Sequence, residues 1–215
     1  MAYSDFTLAT VKQRFDLVFQ EDQDLFGGNE EDKEQSPVPA LPPSPALKTL
    51  LDDYLPLATA IATEKARSEF LIAPILADIR RQLDHQVSLF SGSDFSVAPE
   101  DGLQGFCDYI LSASSEQLLI TAPVVIIVEA KRENIIGGLG QCIAAMIAAQ
   151  RFNQQAGKIV EAIYGVVTTG TNWKFLRLTN NIVEIDRVEY FINQLNQILG
   201  ILASPFLSRE HYSGA

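Results

Sequence analysis

Two cysteines, two histidines, one tryptophan and two methionines are all that the 215-residue chain holds of these types. Cys107 and Cys142 form no C-x-x-C pair. Neither a disulfide framework nor a thiolate zinc cage is suggested, and a reducing compartment is the easier assumption. His85 and His211 lie in unrelated contexts. That argues against a histidine-rich metal centre and gives little support to a Ser-His-Asp triad. Positive charge is also scarce: 16 Lys and Arg face 27 Asp and Glu, for a formal net charge of −11. Such a balance advertises no basic surface. Long apolar runs are missing as well. The longest, Leu118 to Val128, contains Thr121 and Pro123 and is too short to span a bilayer as a helix. The opening "MAYSDFTLATVKQRFDLVF" is interrupted by Asp5, Lys12, Arg14 and Asp16 and lacks the apolar core of a signal peptide. The expectation is a cytoplasmic protein without a membrane partner.

What is present is enough for one sizeable domain with a real core, since 47% of residues are hydrophobic. Leu8, Val11, Phe15 and Val18 recur at helical spacing, so the pattern predicts a short amphipathic helix over residues 7–20. Composition then shifts. Glu21 to Glu34 contains seven acidic residues, and "SPVPALPPSP" (Ser36 to Pro45) contains five prolines. Neither stretch can build a core, so residues 1–45 read as a helix plus an acidic, Pro-rich arm. The arm is expected to pack on its own body or on a second subunit, and a homodimer through it is the assembly this suggests. Residues 46–215 read as the main domain. Residues 46–55 look helical, and a longer helix follows Pro56 to about His85. Strands are expected at "QVSLFSG" up to Gly92, at Gly105 to Ser112 and at Val124 to Lys131. A helix starts at "GGLGQCIAAM", a strand covers Ile159 to Gly170, "NWKFLRL", "TNN" and "IVEI" form a hairpin, and Val188 to Ala203 closes the chain as a helix. Helix, three strands, helix, strand makes an α/β sandwich.

The strand "VVIIVEAK" carries the chemical signal. Five β-branched residues, Val124 to Val128, end at once in Glu129-Ala130-Lys131. Alternation puts Glu129 and Lys131 on one face. If the preceding strand pairs antiparallel with Asp108 opposite Glu129, then Ile110 faces Ile127, Ser112 faces Val125, and both acids converge with Lys131 on one patch. Two carboxylates so close repel unless a proton or a cation lies between them, and oxygen ligands without histidine favour a hard ion.

The pattern Asp108 … Glu129-Ala-Lys131, after a helix bearing Glu69 in "SEFLIAPIL", resembles the PD-(D/E)-x-K nuclease superfamily, the restriction-endonuclease-like fold. Gln141 sits where many members carry a helix glutamine. The likeness covers about residues 60–178, with the hairpin and helix of residues 173–203 beyond it. The proline that names the motif is absent, because Cys107 precedes Asp108. The resemblance implies a restriction-endonuclease-like sandwich, a central mixed β-sheet with an αβββαβ core flanked by helices. It also implies a Mg2+- or Mn2+-dependent nuclease acting on nucleic acid, DNA first. Asp108, Glu129 and the main-chain carbonyl of Ala130 would hold the metal. Lys131, Glu69 and Gln141 would complete the catalytic set.

Glu-x-Lys alone means little in a chain this long. Glu31-Asp32-Lys33 fits it too, inside the acidic arm. Context separates the two, since only the motif at 129–131 ends a buried strand. Plainer readings stand beside each residue. Glu129 and Lys131 make an ordinary ion pair at a strand exit, Glu69 a surface side chain, and Gln141 a partner for the amides that open its helix. The glycines of "IIGGLGQ" lack the Gly-Lys-Ser/Thr of a P-loop. Trp173, Lys174 and Arg177 fit a structural hairpin better than a base-stacking one. The acidic balance motivates a second class of function, a binding or assembly module of the same fold without hydrolysis. A nuclease would instead need Arg80, Arg81, Arg132, Arg151, Lys174 and Arg177 gathered near its site.

Overall fold

Every residue of β4 (Val124–Ala130) is buried, and the molecule is built around that strand. The computed structural model of the chain describes residues 1–27 and 38–207. Residues 28–37 of the arm, the Glu31-x-Lys33 match among them, and His211 lie outside the described residues. The fold is α/β, with seven strands in one mixed sheet of order β1-β7-β6-β5-β4-β3-β2. The strands are β1 (Val18–Gln20), β2 (Ser88–Asp94), β3 (Phe106–Ser112), β4, β5 (Ile163–Thr168), β6 (Asn172–Thr179) and β7 (Ile182–Phe191). β2, β3 and β4 run antiparallel, and β5, β6 and β7 do the same. β4 and β5 are parallel, which requires a crossover. That crossover is α5 (Ile135–Gln155).

α5 packs on one face of the sheet, together with the N-terminal turn and α1 (Leu8–Arg14). By length and composition α5 could cross a membrane, yet 67% of its apolar window is buried as the core helix of this face. The N-terminal segment lies directly across it. A Cβ on Gly140 would strike the backbone of Phe6 and Thr7, so only glycine permits that approach. The other face is covered by α2 (Pro45–Ile61), a continuous rod and α6 (Leu195–Leu207). The rod comprises α3 (Glu64–Arg67), a π-helical turn (Ser68–Ile72) and α4 (Ala73–Gln82). Pro74 sits just after the π-helical turn, and its ring crowds the Phe70 carbonyl of a regular α-helix, which the wider turn relieves.

Several boundaries differ from the sequence reading, each for a local reason. The first helix stops at Arg14, with Asp16 in the left-handed region at φ 50°. Val18 then belongs to an edge strand parallel to β7, paired with Ile182, rather than to a helix face. Residues 1–27 pack into the body: Tyr3, Phe6, Val11, Leu17, Leu25 and Phe26 are all buried. The break expected at Pro56 falls instead at Ala62, at φ 54°. α2 carries Pro56 inside it, and Thr63 then caps α3 by accepting from the Ala66 N–H at 3.1 Å. Ile110 pairs with Ile127, whereas Ser112 pairs with Val124 rather than Val125 across a bulge at Leu111/Ser112. The Ser112 hydroxyl is drawn to the carbonyls of Thr121 and Pro123, which accounts for the shift. Val188 to Phe191 extend β7 instead of starting the last helix, because Tyr190 is fully buried against Phe175 (ring centroids 5.5 Å apart).

Candidate active site

The ladder between β3 and β4 is recorded as far as Tyr109 opposite Val128, one step short of Asp108 and Glu129. Beyond it the Asp108 side chain replaces the backbone as partner, its Oδ2 accepting the Ala130 N–H at 2.7 Å. Neighbouring bonds fix this strand end. The Lys131 N–H donates to the Thr168 carbonyl at 2.8 Å, tying β4 to β5. The Tyr109 hydroxyl lies 2.6 Å from Ser68 Oγ and donates to the Ser68 carbonyl at 2.9 Å, tying β3 to the π-helical turn.

Glu129 is only 4% exposed. Its Oε1 accepts from Lys131 Nζ at 2.6 Å, and the same ammonium donates to Gln141 Oε1 at 3.2 Å. Gln141 reaches the site from the second turn of α5, and α5 can come this close because residue 138 is glycine. A Cβ there would lie 2.8 Å from Val167 and 2.9 Å from Lys131 Cε. Asp108, Glu129, Lys131 and Gln141 are therefore brought together. Glu69 is not. Its carboxylate faces Lys65 at 3.7 Å, 57% exposed, beside Leu47, Leu50 and Tyr54 on the outer side of the rod.

The carboxylate that reaches the cluster from the rod is Glu64. Its Oε2 accepts the Arg132 N–H at 3.1 Å, and its charge acts on Asp108, Glu129 and Lys131 alike. Sequence reasoning did not single it out, because the resemblance pointed to Glu69 on the same rod. The signal was available as Thr63-Glu64, a capping residue followed by an acid in the first helical turn.

The electrostatics are those of an acidic cluster short of positive charge. Burial pushes the Asp108 carboxyl up, the Ala130 N–H and Lys131 oppose, and Glu64 adds to the rise. Glu129 is pushed up to about 8, first by burial and then by Asp108, with Lys131 only partly compensating. Burial alone would pull the Lys131 ammonium down, but the surrounding carboxylates, Glu129 foremost, raise it. Burial beside Asp108 therefore favours the protonated form of Glu129 in the cation-free protein. Cys107 and Cys142 are both buried, and burial raises both thiols, which disfavours a thiolate nucleophile.

The oxygens these groups offer are of the type a hard divalent cation takes. Asp108 commits one oxygen to Ala130, and Glu129 commits one to Lys131. Among the described residues, no three His, Cys, Asp or Glu side chains form a ready-made cage. A cation here would thus take two carboxylates and complete its oxygen shell from main-chain carbonyl and water. The hairpin side chains serve the fold. Trp173 is fully buried with Nε1 donating to the Gly170 carbonyl at 3.1 Å, and Arg177 pairs with Glu184 at 2.6 Å. A scan against models of known protein families, a search of curated proteins and a search of solved structures each found no match.

Proposed function

We propose that this chain is a metal-dependent nuclease of the PD-(D/E)-x-K type, with a restriction-endonuclease-like fold, hydrolysing phosphodiester bonds in nucleic acid. The observation that carries the reading is the juxtaposition of Asp108, buried Glu129 and Lys131 at the end of β4, with Lys131 bonded to both Glu129 and Gln141. The order αβββαβ, with a parallel return from β4 to β5, supports it. Asp108, Glu129 and the Ala130 carbonyl would hold Mg2+ or Mn2+. When bound, the ion supplies Lewis-acid polarisation of a phosphate oxygen and lowers the pKa of water. Glu129 would have to be ionised to hold the ion, so its raised pKa would make rising pH favour binding. Lys131 remains charged and offsets the negative charge that builds on phosphorus. Gln141 fixes the Lys131 ammonium in place, and Glu64 orients the β4–α5 connection through the Arg132 N–H. The test is Mg2+-dependent cleavage of single-stranded, duplex and branched DNA by the wild type, Glu129→Ala and Lys131→Ala. The reading requires loss of cleavage in both variants with the fold intact. Undiminished cleavage in Glu129→Ala contradicts it.

A second reading, a binding or assembly module without hydrolysis, is favoured by the disposition of the cations. Arg151 pairs with Asp101, Arg177 with Glu184 and Arg81 with Asp78, while Lys174 donates to the Arg187 carbonyl. Of the basic residues that a duplex grip would call on, Arg132 alone adjoins the cluster in sequence, and it pairs with Glu133 at 3.3 Å. Intact binding to a basic partner with no cleavage under any metal would favour this module.

A further inference from the structure

Arg151, Arg177 and Arg81 are tied to carboxylates of the body and Arg132 to Glu133, whereas Arg67 has no ion-pair partner among the described residues. Its Nη1 donates to the Thr169 carbonyl and to Thr171 Oγ1, both at 3.2 Å. Nε is shut off from solvent with no acceptor, and Nη2 makes no bond of its own. A half-buried guanidinium held only by neutral groups keeps its full charge where water hydrates it poorly, and an anion brought from outside offsets that cost.

Arg67 stands on the same edge of the molecule as the acidic cluster. Thr168 pairs with Ala130, its carbonyl takes the Lys131 N–H, and Thr169 follows it directly. Along the rod, Glu64, which reaches the Arg132 N–H, lies three residues before Arg67 and so on the same face of α3. Gly170, at φ 81°, lets the β5–β6 turn press on the rod, since a Cβ there would lie 2.9 Å from Leu71 Cβ. The guanidinium therefore has a rigid mount. It is also set apart from the carboxylates. The charges that act on Asp108, Glu129 and Lys131 are one another's and that of Glu64, not that of Arg67. An arginine in contact with those acids would be neutralised by them, while one a step away keeps its charge for a ligand.

Resting on the nucleic-acid reading above, we infer that Arg67 binds a backbone phosphate of the substrate beside the one that is cut, with Nη2 as donor and the Thr169–Thr171 turn as its mount. The scissile phosphate belongs to the cation and Lys131. The neighbouring one falls to a fixed positive charge outside the acidic cluster, and such a contact positions the backbone without reading its sequence.

The experiment measures fluorescence anisotropy of a labelled mixed-sequence duplex oligodeoxynucleotide over a series of salt concentrations. It uses the full chain with Ca2+ in place of Mg2+. Each phosphate contact adds about 0.9 to the slope of log affinity against log salt. Arg67→Gln is expected to weaken binding by about tenfold at low salt and to lower that slope by about 0.9. Arg67→Met repeats the neutralisation with an apolar stem and should give the same loss. Arg67→Lys keeps the charge and should keep the slope. Thr171→Val takes a hydroxyl from the mount but no charge, so its slope should match the wild type, and a thermal scan verifies that each variant is folded. A slope unchanged by neutralising Arg67, an equal fall in Thr171→Val, or no duplex binding by the wild type overturns the inference. Failure of the two readings is separable. Glu129-dependent cleavage with an unchanged slope in Arg67→Gln keeps the nuclease and removes the phosphate contact. A slope that falls with Arg67, in a chain that cleaves nothing, does the reverse.

Discussion

Replacing Glu129 with glutamine removes a titration that the structure makes costly. In the folded chain the carboxyl is raised from 4.5 to about 8, chiefly by burial. Across that window the folded protein keeps a proton that the unfolded chain has released, so rising pH favours unfolding. The stabilisation is fully present below the unfolded value and is lost as pH climbs through the folded one. The size of the displacement corresponds to roughly 4 to 5 kcal/mol lost over the window. For a domain of this size that is about 10 °C or more in Tm. Glutamine keeps the shape, stays neutral and can still accept from Lys131. The assay is thermal unfolding of wild type and Glu129→Gln in EDTA, from about pH 5 to about pH 9. The two proteins should be close at the acid end and diverge as pH rises, with the variant the more stable at the alkaline end. Parallel profiles across the range would refute the argument that Glu129 is buried beside uncompensated acid.

Other consequences are more briefly stated. Glu64→Gln should reduce Mg2+-dependent cleavage by about tenfold or more, whereas Glu69→Gln, in solvent beside Lys65, should leave it unchanged; initial rates on a common substrate decide between the two. Gly138→Ala should displace Lys131 and cost activity, since a Cβ there meets the lysine stem at 2.9 Å; circular dichroism would show the fold retained. Trp173→Ala removes a fully buried indole and its bond to Gly170, so urea denaturation should register a loss of about 3 to 5 kcal/mol.

The strands were legible where burial is symmetric. "VVIIVEA" reads as a two-sided buried strand from its β-branched run, and β3 and β5 stand out in the same way. Helix starts were less legible, because Pro56 is a strong breaker in isolation while tertiary packing carries α2 past it. The helix start was thereby placed about two turns early, and Glu69 was singled out by the resemblance alone. Val18 and Val188 fitted helical spacing equally well, but they lie in strands fixed by pairing with distant partners, Val18 with Ile182 and Val188 within the β6–β7 hairpin. Long-range registers of that kind leave no local trace. Asp108, Glu129 and Lys131 were readable because strand alternation brings them to one strand end, whereas Gln141 was indicated only by the resemblance.

Whether Asp108 and Glu129 share a divalent cation can be measured without any substrate. Calorimetric titration of Mn2+ into the full chain, above pH 8 so that Glu129 is ionised, should show one site that Glu129→Gln and Asp108→Asn each abolish. Mn2+ binding that persists undiminished in both variants, or that is absent from the wild type at this pH, would contradict the account.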